Sequence, residues 1–598
     1  MIKSALPRKA FLPFAILPLC LVSPSLGQTA PAATKADLVL INGTILTVDP
    51  EDSIAEALAI RAGKIIAVGS KQKILALTDA HTQFLDLHGR TATPGLIDTH
   101  GHYQDAGVDA LYNIELSDAR SIAEIVRRVQ AKVATTKPGE WVRGAGWDEG
   151  KLAENRYVYA SDLDKVSPNN PVWLQNTTGH YSAVNSYALR LAHITAESKD
   201  PPAGTIDRDP SGAVTGVLKE QANVDMLALI PLPSIDQRKQ GILKSIEGLH
   251  REGMTSFKEI GTPYTWTAYQ QLLAEGKLDE RVCMLWRAGS TLETAKATLA
   301  EIRKNPRPPQ SLGDGRLLAC GAKIFMDGST AARTAWVSQP WRKNSIEIDE
   351  GNFGYPSTEP EVYRQMVRLF HQAGVTVGTH AIGDRAIDWV VDTYALVLNE
   401  KPTPGLRHSI IHAYLPTPHA ITTMATLEKQ YDAGYPELQP PFLWWLGKSL
   451  AASLGPDRLP LTMPLKTYLD HGVRWGGGSD HFVAPYPARY GLWASVERET
   501  LAGTHPFGLS ESVDIHTALR SYTAWAAPLL FLEDKAGTLE PGKRADIAIW
   551  DSNLYAIPSE KLKGIKCEMT LFNGKIVYKD LNTGITTEPA DDQEMIGR

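Results

Sequence analysis

Ala92-Thr-Pro-Gly-Leu-Ile-Asp-Thr-His-Gly-His102 is the stretch on which the reading of this chain turns. A short β-favouring run interrupted by Pro94-Gly95 ends in two imidazoles two residues apart. In extended backbone, residues two apart face the same side, so His100 and His102 can reach a single ion. Alone, His-x-His fits two hydrogen-bonded histidines equally well. It gains meaning only if the rest of the chain repeats the pattern.

Seven further apolar, β-branched runs lie at 254–260, 281–287, 318–326, 375–380, 409–412, 435–439 and 474–480, and with 92–100 they make eight candidate strands. Amphipathic helical patterns fall between them, as at 238–252, 361–372 and 386–398. Strands alternating with helices predict a parallel sheet with crossover helices, and eight is the count of a (β/α)8 TIM barrel, an α/β fold. Such barrels build their chemistry at the carboxyl ends of the strands. The ligand-type side chains fall there: His100 and His102 after the first strand, Lys323 within the fourth, His380 closing the fifth, His412 the sixth and Asp480 the eighth. A buried lysine is a costly cation, but carbon dioxide converts it to an anionic bridging ligand, N6-carboxylysine. The competing reading of Lys323 is a structural lysine paired with Asp327.

Both ends of the chain are β-rich. Residues 37–48 read as two short strands around Asn42-Gly43, followed by strands at 57–61 and 64–68, and 545–550 with 569–578 repeat the signature around Asn573-Gly574. The expectation is a small β-sandwich domain composed of 36–91 and 536–580, enclosing a barrel of 92–535. The first gap between barrel strands exceeds an ordinary βα connection by about a hundred residues, which predicts an inserted subdomain at about 103–235.

Residues 1–27, with Lys3, Arg8 and Lys9 before an apolar run and Ser25-Leu26-Gly27 after it, read as the signal peptide of an exported, periplasmic or secreted protein. Arg8-Lys9-Ala10-Phe11-Leu12 leaves a twin-arginine variant open beside the general secretory route. An apolar run of about a dozen residues is short for a membrane span, so none is expected in the mature chain. With Cys20 in the leader, Cys283, Cys320 and Cys567 are widely spaced and odd in number, and no disulfide framework is expected. A net charge of -6 spread over 61 basic and 67 acidic residues forms no stripe for phosphates, so no nucleic-acid partner is expected.

The order and context of these residues resemble the amidohydrolase superfamily: Pro94-Gly-Leu-Ile-Asp-Thr-His-Gly-His102, then Lys323, His380, His412 and Asp480, and the returning tail Gly537-Thr-Leu-Glu-Pro-Gly-Lys-Arg-Ala-Asp-Ile-Ala-Ile549. Gly144-Ala-Gly-Trp-Asp-Glu149, Gly179-His-Tyr-Ser-Ala-Val-Asn-Ser186, Asp327-Gly-Ser-Thr-Ala-Ala-Arg-Thr-Ala335, His380-Ala-Ile-Gly-Asp-Arg385 and Arg407-His408 are similar to motifs of its amidohydrolase 3 branch, the YtcJ-like proteins that include N-substituted formamide deformylases. Two positions depart from that branch: Ile411 stands where a glutamate is common before the strand-six histidine, and His481 follows Asp480 where a small residue is usual.

The resemblance implies one or two divalent ions, zinc first among them, held by His100, His102, His380, His412 and Asp480, with carboxylated Lys323 bridging two. It implies Asp480 as the group that takes a proton from the attacking water and passes it to the leaving nitrogen. His180, Trp147 and Asp148 of the insertion are candidate substrate contacts, each with a structural alternative. Arg333 offers a planar fork for a substrate carboxylate or a partner for a neighbouring acid. Trp173, Trp336, Trp444 and Trp445 suit either packing or an apolar, aromatic small-molecule substrate. Asp384 is expected to cap the helix after His380. The expected function is hydrolysis of an amide-like C–N bond in an N-acyl, N-formyl or cyclic amide. An esterase, lactonase or carbamate hydrolase in the same site is the alternative, and a non-catalytic metal-binding barrel is the alternative of another class. The oligomeric state stays open, a homodimer included.

Overall fold

The computed structural model describes residues 35–342, 351–585 and 587–589, so the expected signal peptide at 1–27 lies outside the described residues. Eight parallel strands follow one another around a barrel in chain order: β1 (Leu96–Gly101), β2 (Met254–Gly261), β3 (Arg281–Arg287), β4 (Leu317–Phe325), β5 (Thr376–Ala381), β6 (Ser409–His412), β7 (Tyr435–Leu438) and β8 (Gly476–Gly477). Closure between β8 and β1 is carried just beyond β8, where Asp480 N–H donates to the His100 carbonyl at 2.7 Å and His102 N–H to that of His481 at 2.5 Å. The seam of the barrel is therefore stitched by the backbone of three ligand-type residues, His100, His102 and Asp480.

The opening stretch divides where Pro94 interrupts it. Thr91–Pro94 pairs antiparallel with Ile547–Trp550 in a flanking sheet, while Leu96–Gly101 enters the barrel. Gly95 turns between them because a Cβ there would stand 2.2 Å from Thr255 Oγ1. The last strand is shorter than the run 474–480, and Gly477 in it passes so near Tyr522 that a Cβ would meet its ring at 2.3 Å.

Side chains alternate between two cores, as the pleat requires. On β3, Val282, Met284 and Trp286 pack outward under the helices, while Cys283 and Leu285 join Ile97, Ile260, Leu318 and Ile411 inside the barrel. Leu529, Leu530 and Leu532 seal that lower interior. Here one expectation fails: Cys283 and Cys320 form a disulfide with Cα atoms 5.5 Å apart, across 37 residues of sequence. Sequence distance misleads because β3 and β4 are neighbours: Cys283 pairs with Leu318, and the register shift between Met284 and Leu285 leaves Cys320 as the extra residue two positions further along β4. Cys567 is buried and free.

Two sheets flank the barrel. One holds Leu38–Ile41, Ala57–Arg61, Lys64–Gly69, Gln83–Asp86 and Thr587–Pro589; the other joins Thr44–Leu46, Ile54–Ala55 and Thr91–Pro94 to Ile547–Trp550, Cys567–Phe572 and Lys575–Lys579. Leu40, Ile45, Leu58, Ile547 and Leu571 fill the space between them, so both ends of the chain share one core. Between β1 and β2, helices Tyr103–Tyr112 and Ile235–Arg251 touch closely enough that a Cβ on Gly107 would meet the Gly241 carbonyl at 1.9 Å. The residues between these helices contain a six-stranded mixed sheet running from Ile114–Glu115 to Val214–Glu220. No helix among the described residues is long and apolar enough to cross a membrane.

Candidate metal centre

At the carboxyl end of the barrel the six ligand-type residues converge, all buried. Asp480 Oδ1 lies 3.1 Å from His102 Nε2 and 3.3 Å from His100 Nε2, and Oδ2 lies 4.0 Å from His412 Nε2. Ligand atoms of His100, His102 and Asp480 all fall within 4.8 Å of one another. The His412 ring stands 4.5 Å from that of His380 and 5.4 Å from that of His100, while Lys323 Nζ is 3.3 Å from His100 Nε2.

Local backbone delivers these groups. His412, Ala413 and Asp480 adopt positive φ of 82°, 44° and 53°, left-handed conformations that cost energy in residues with a Cβ and cluster at functional sites. Below them Asp98 ties β1 to the loop after β8: it accepts the His100 N–H at 2.8 Å, the Ser479 hydroxyl at 2.6 Å and the Tyr103 hydroxyl at 2.7 Å. Burial pushes its carboxyl up to about 6 against those bonds.

Hydrogen bonds also fix which ring nitrogen is free. His380 Nε2 lies 3.0 Å from the Gly328 carbonyl, which can only accept, so Nε2 carries hydrogen and Nδ1 keeps its lone pair. Gln439 donates its amide N–H to the Glu437 carbonyl at 2.9 Å, which turns its oxygen towards His412 Nδ1 at 2.7 Å and leaves His412 Nε2 as the acceptor.

The electrostatics suit a cation. Burial holds His100, His102 and His380 below the usual imidazole range, with the Lys323 charge adding to the effect on His100, and burial takes His412 down to about 3. Burial takes the Lys323 amine down to about 7. For Asp480 burial opposes ionisation, but the hydrogen bond from His102 and the nearby imidazoles outweigh it and leave the carboxyl below its usual range. Neutral imidazoles around an ionised carboxylate are a donor set that fits a divalent ion. Lys323 does not pair with Asp327. Asp327 instead accepts the backbone N–H groups of Trp336, Ile382 and Gly383 at 2.8–3.0 Å, which docks the loop after β4 onto the end of β5.

A narrow cavity of about 30 Å³ opens over Asp480, His380 and His412. Its polar side is Thr178, His180, Ser329 and Thr330; its apolar side is Ile382, Tyr414, Phe442, Leu446, Leu450 and Val483. Two larger clefts, of about 620 and 690 Å³, lie away from these residues, by the flanking sheets and beside Trp444.

Of the candidate substrate contacts, only His180 reaches this cavity. Its Nδ1 lies 3.0 and 3.1 Å from the two oxygens of Glu220, whose charge and hydrogen bond overcome burial and raise the imidazole above its usual range. Trp147 does not reach it: it is packed inside the inserted sheet, with its indole N–H on the Leu174 carbonyl at 2.9 Å. Asp148 accepts from Ser449 instead. Arg333 is buried away from the cavity lining, and its charge lowers the Glu149 carboxyl, which burial and the Asp148 charge lift to about 7. Trp173 donates to Asn223 within the insertion, and none of the four tryptophans lines the cavity. Asp384 begins the helix Asp384–Glu400 rather than capping it, and its carboxylate accepts the Ser338 N–H at 2.7 Å.

Gln439, Glu220 and Asp98 were not singled out from the sequence. Asp98 stands in the opening stretch and Gln439 one residue past β7, positions that strand-end logic could have reached. Glu220 had no such signal, because its partner His180 is forty residues away, in the turn before the strand Tyr181–Val184.

A family model described as the amidohydrolase family matches residues 83–578. Over 569 residues the chain is 29% identical to Protein LONG AFTER FAR-RED 3 of Arabidopsis thaliana, covering 92% of this chain and 93% of that one. Over 561 residues it is 28% identical to the N-substituted formamide deformylase of Arthrobacter pascens, covering 91% and 98%. The crystal structure of a metal-dependent hydrolase from Pyrococcus horikoshii aligns with a TM-score of 0.68 at 25% identity, over 88% of this chain and 99% of that one. Matches of this extent include the flanking sheets as well as the barrel, and the chain belongs to the amidohydrolase family.

Proposed function

We propose that the protein hydrolyses a small N-acyl, N-formyl or cyclic amide in the cavity over Asp480. The observation that carries this reading is one ionised carboxylate set within 4.0 Å of three imidazoles on the wall of that cavity. His100, His102 and Asp480 would hold one zinc ion, and His380, His412 and carboxylated Lys323 a second. When bound, such an ion polarises the substrate carbonyl and acidifies a water towards neutral pH. Carboxylation needs a neutral amine: Lys323 Nζ forms a bond to the carbon of CO2, one N–H proton leaves to solvent, and the side chain becomes an anion. Burial, which lowers this amine to about 7, supports that step.

Asp480, ionised at neutral pH, takes the proton of the attacking water and delivers it to the leaving nitrogen. His180, held by Glu220 across the cavity, orients the polar side of the substrate. Tyr414, Phe442, Leu446, Leu450 and Val483 receive an apolar acyl or amine substituent and exclude bulk water. Export of the mature chain is part of the proposal, and the Cys283–Cys320 disulfide supports an oxidising destination.

The test uses purified mature protein, metal analysis and a panel of matched amides and esters. Chelation is expected to lower amide turnover by about a hundredfold or more, with recovery on adding zinc. Turnover confined to esters, or full amide turnover without a stoichiometric divalent ion, overturns the reading.

A further inference from the structure

The loop that follows strand Val142–Trp147 leaves the inserted sheet and lands beside the apolar wall of the cavity. That wall is carried by two short helices after β7, Pro441–Trp445 and Gly447–Leu454 with Leu446 between them, which present Phe442, Leu446 and Leu450. Next to that apolar face, the Ser449 hydroxyl donates to Asp148 Oδ1 at 2.8 Å, and the same oxygen accepts the Gly150 N–H at 2.9 Å. Both side chains are buried, Asp148 at 5% and Ser449 at 8% exposure, so water competes little for this bond. The approach is tight: a Cβ on Gly150 would stand 2.2 Å from Ser449 Oγ, so a larger residue there displaces the Ser449 hydroxyl. One residue on, Lys151 Nζ sits 3.3 Å from the centroid of the Trp445 ring, and Lys448 Nζ donates to Asn155 Oδ1 at 2.9 Å. Residues 148–155 thus pin both helices that form the wall.

At about 30 Å³ the cavity has room for only a few waters. A bulky acyl group needs the wall to give way, and Leu446 and Leu450 are the part of that wall that lies beside the contacts of residues 148–155. We infer that Asp148, through Ser449, is a positioning residue that sets the size of acyl group the cavity accepts. This deepens the amide reading above and rests on it. Asp148 touches neither the ligand cluster nor the cavity; it acts on selectivity by fixing the wall.

The experiment compares Asp148→Ala, Ser449→Ala and Asp148→Asn on an N-formyl amide and on N-acetyl and N-benzoyl amides of the same amine. For the first two variants the ratio of kcat/KM for the benzoyl over the formyl substrate is expected to rise about tenfold, with kcat on the formyl amide within about twofold of wild type. Asp148→Asn retains an oxygen for the Ser449 hydroxyl and is expected to stay within about twofold of wild type in both. An unchanged ratio, or a kcat lowered equally for every acyl group, overturns the proposal. If the wild type cleaves none of these amides, the amide reading fails by itself, and hydrogen–deuterium exchange of residues 441–454 still judges whether the Asp148–Ser449 bond fixes the wall. Faster exchange there in Ser449→Ala supports that role, and unchanged exchange overturns it.

Discussion

At the carboxyl end of the barrel, four imidazoles, a lysine and a carboxylate are buried together on strained backbone, and burial displaces nearly every one of them from its usual protonation range. At the amino end the same strands close over Ile97, Ile260, Leu285, Leu318 and Ile411, joined by a disulfide and sealed by Leu529 and Leu530. One end spends folding energy to hold polar groups out of water, and the other supplies it through apolar burial. The division teaches that activity and stability are separable in this molecule along the axis of its barrel, and mutations at the two ends should divide accordingly.

The largest effect is expected at the carboxyl end. Asp480→Asn removes the proposed proton acceptor while keeping nearly the same shape, and turnover should fall about a thousandfold or more. Steady-state rates measured beside zinc content test this; a variant with wild-type metal and wild-type turnover would break the assignment of Asp480. At the amino end, Leu318→Ala empties a buried site in the lower interior and should cost about 2–5 kcal/mol of stability with kcat/KM within about twofold of wild type. A loss of turnover as deep as the loss of stability, seen by combining denaturant melts with kinetics, would show the two ends to be coupled.

The smallest effect concerns Glu259 on β2, which accepts the Gln104 N–H at 2.9 Å and the Tyr269 hydroxyl at 2.7 Å, and which burial raises to about 8 from an ordinary 4.5. Because the folded protein keeps this proton longer than the unfolded chain, the group's contribution is complete below about pH 4.5 and is lost as pH rises towards 8. Glu259→Gln mimics the protonated acid, so its Tm should gain on that of wild type by on the order of a few degrees between pH 5 and 8. A Tm difference independent of pH would mean that the carboxyl is ionised throughout.

Much of the barrel is legible in local sequence. β3 and β6 occupy the very runs 281–287 and 409–412, because a parallel strand buried on both faces reads as an unbroken apolar run. The first run misleads at Pro94, where one apolar stretch serves two sheets and only the distant strand Ile547–Trp550 shows which part belongs to which. His100, His102, His380, His412 and Asp480 are legible for a related reason: strand ends of a parallel barrel all face the same way, so position along each strand fixes which side chains meet.

What the sequence by itself determined is therefore the strand count, the order of the ligand-type residues and the family whose motifs they form. The tertiary structure alone decided the Cys283–Cys320 pair, the bond between Glu220 and His180, the orientation of His412 by Gln439, and the replacement of the suspected tryptophans by Phe442, Leu446 and Leu450 on the cavity wall. The physical reason is range. Strand runs and strand ends follow from periodicities a few residues long, whereas each of these contacts depends on the register of one strand against another or on how the inserted sheet comes to rest over the barrel.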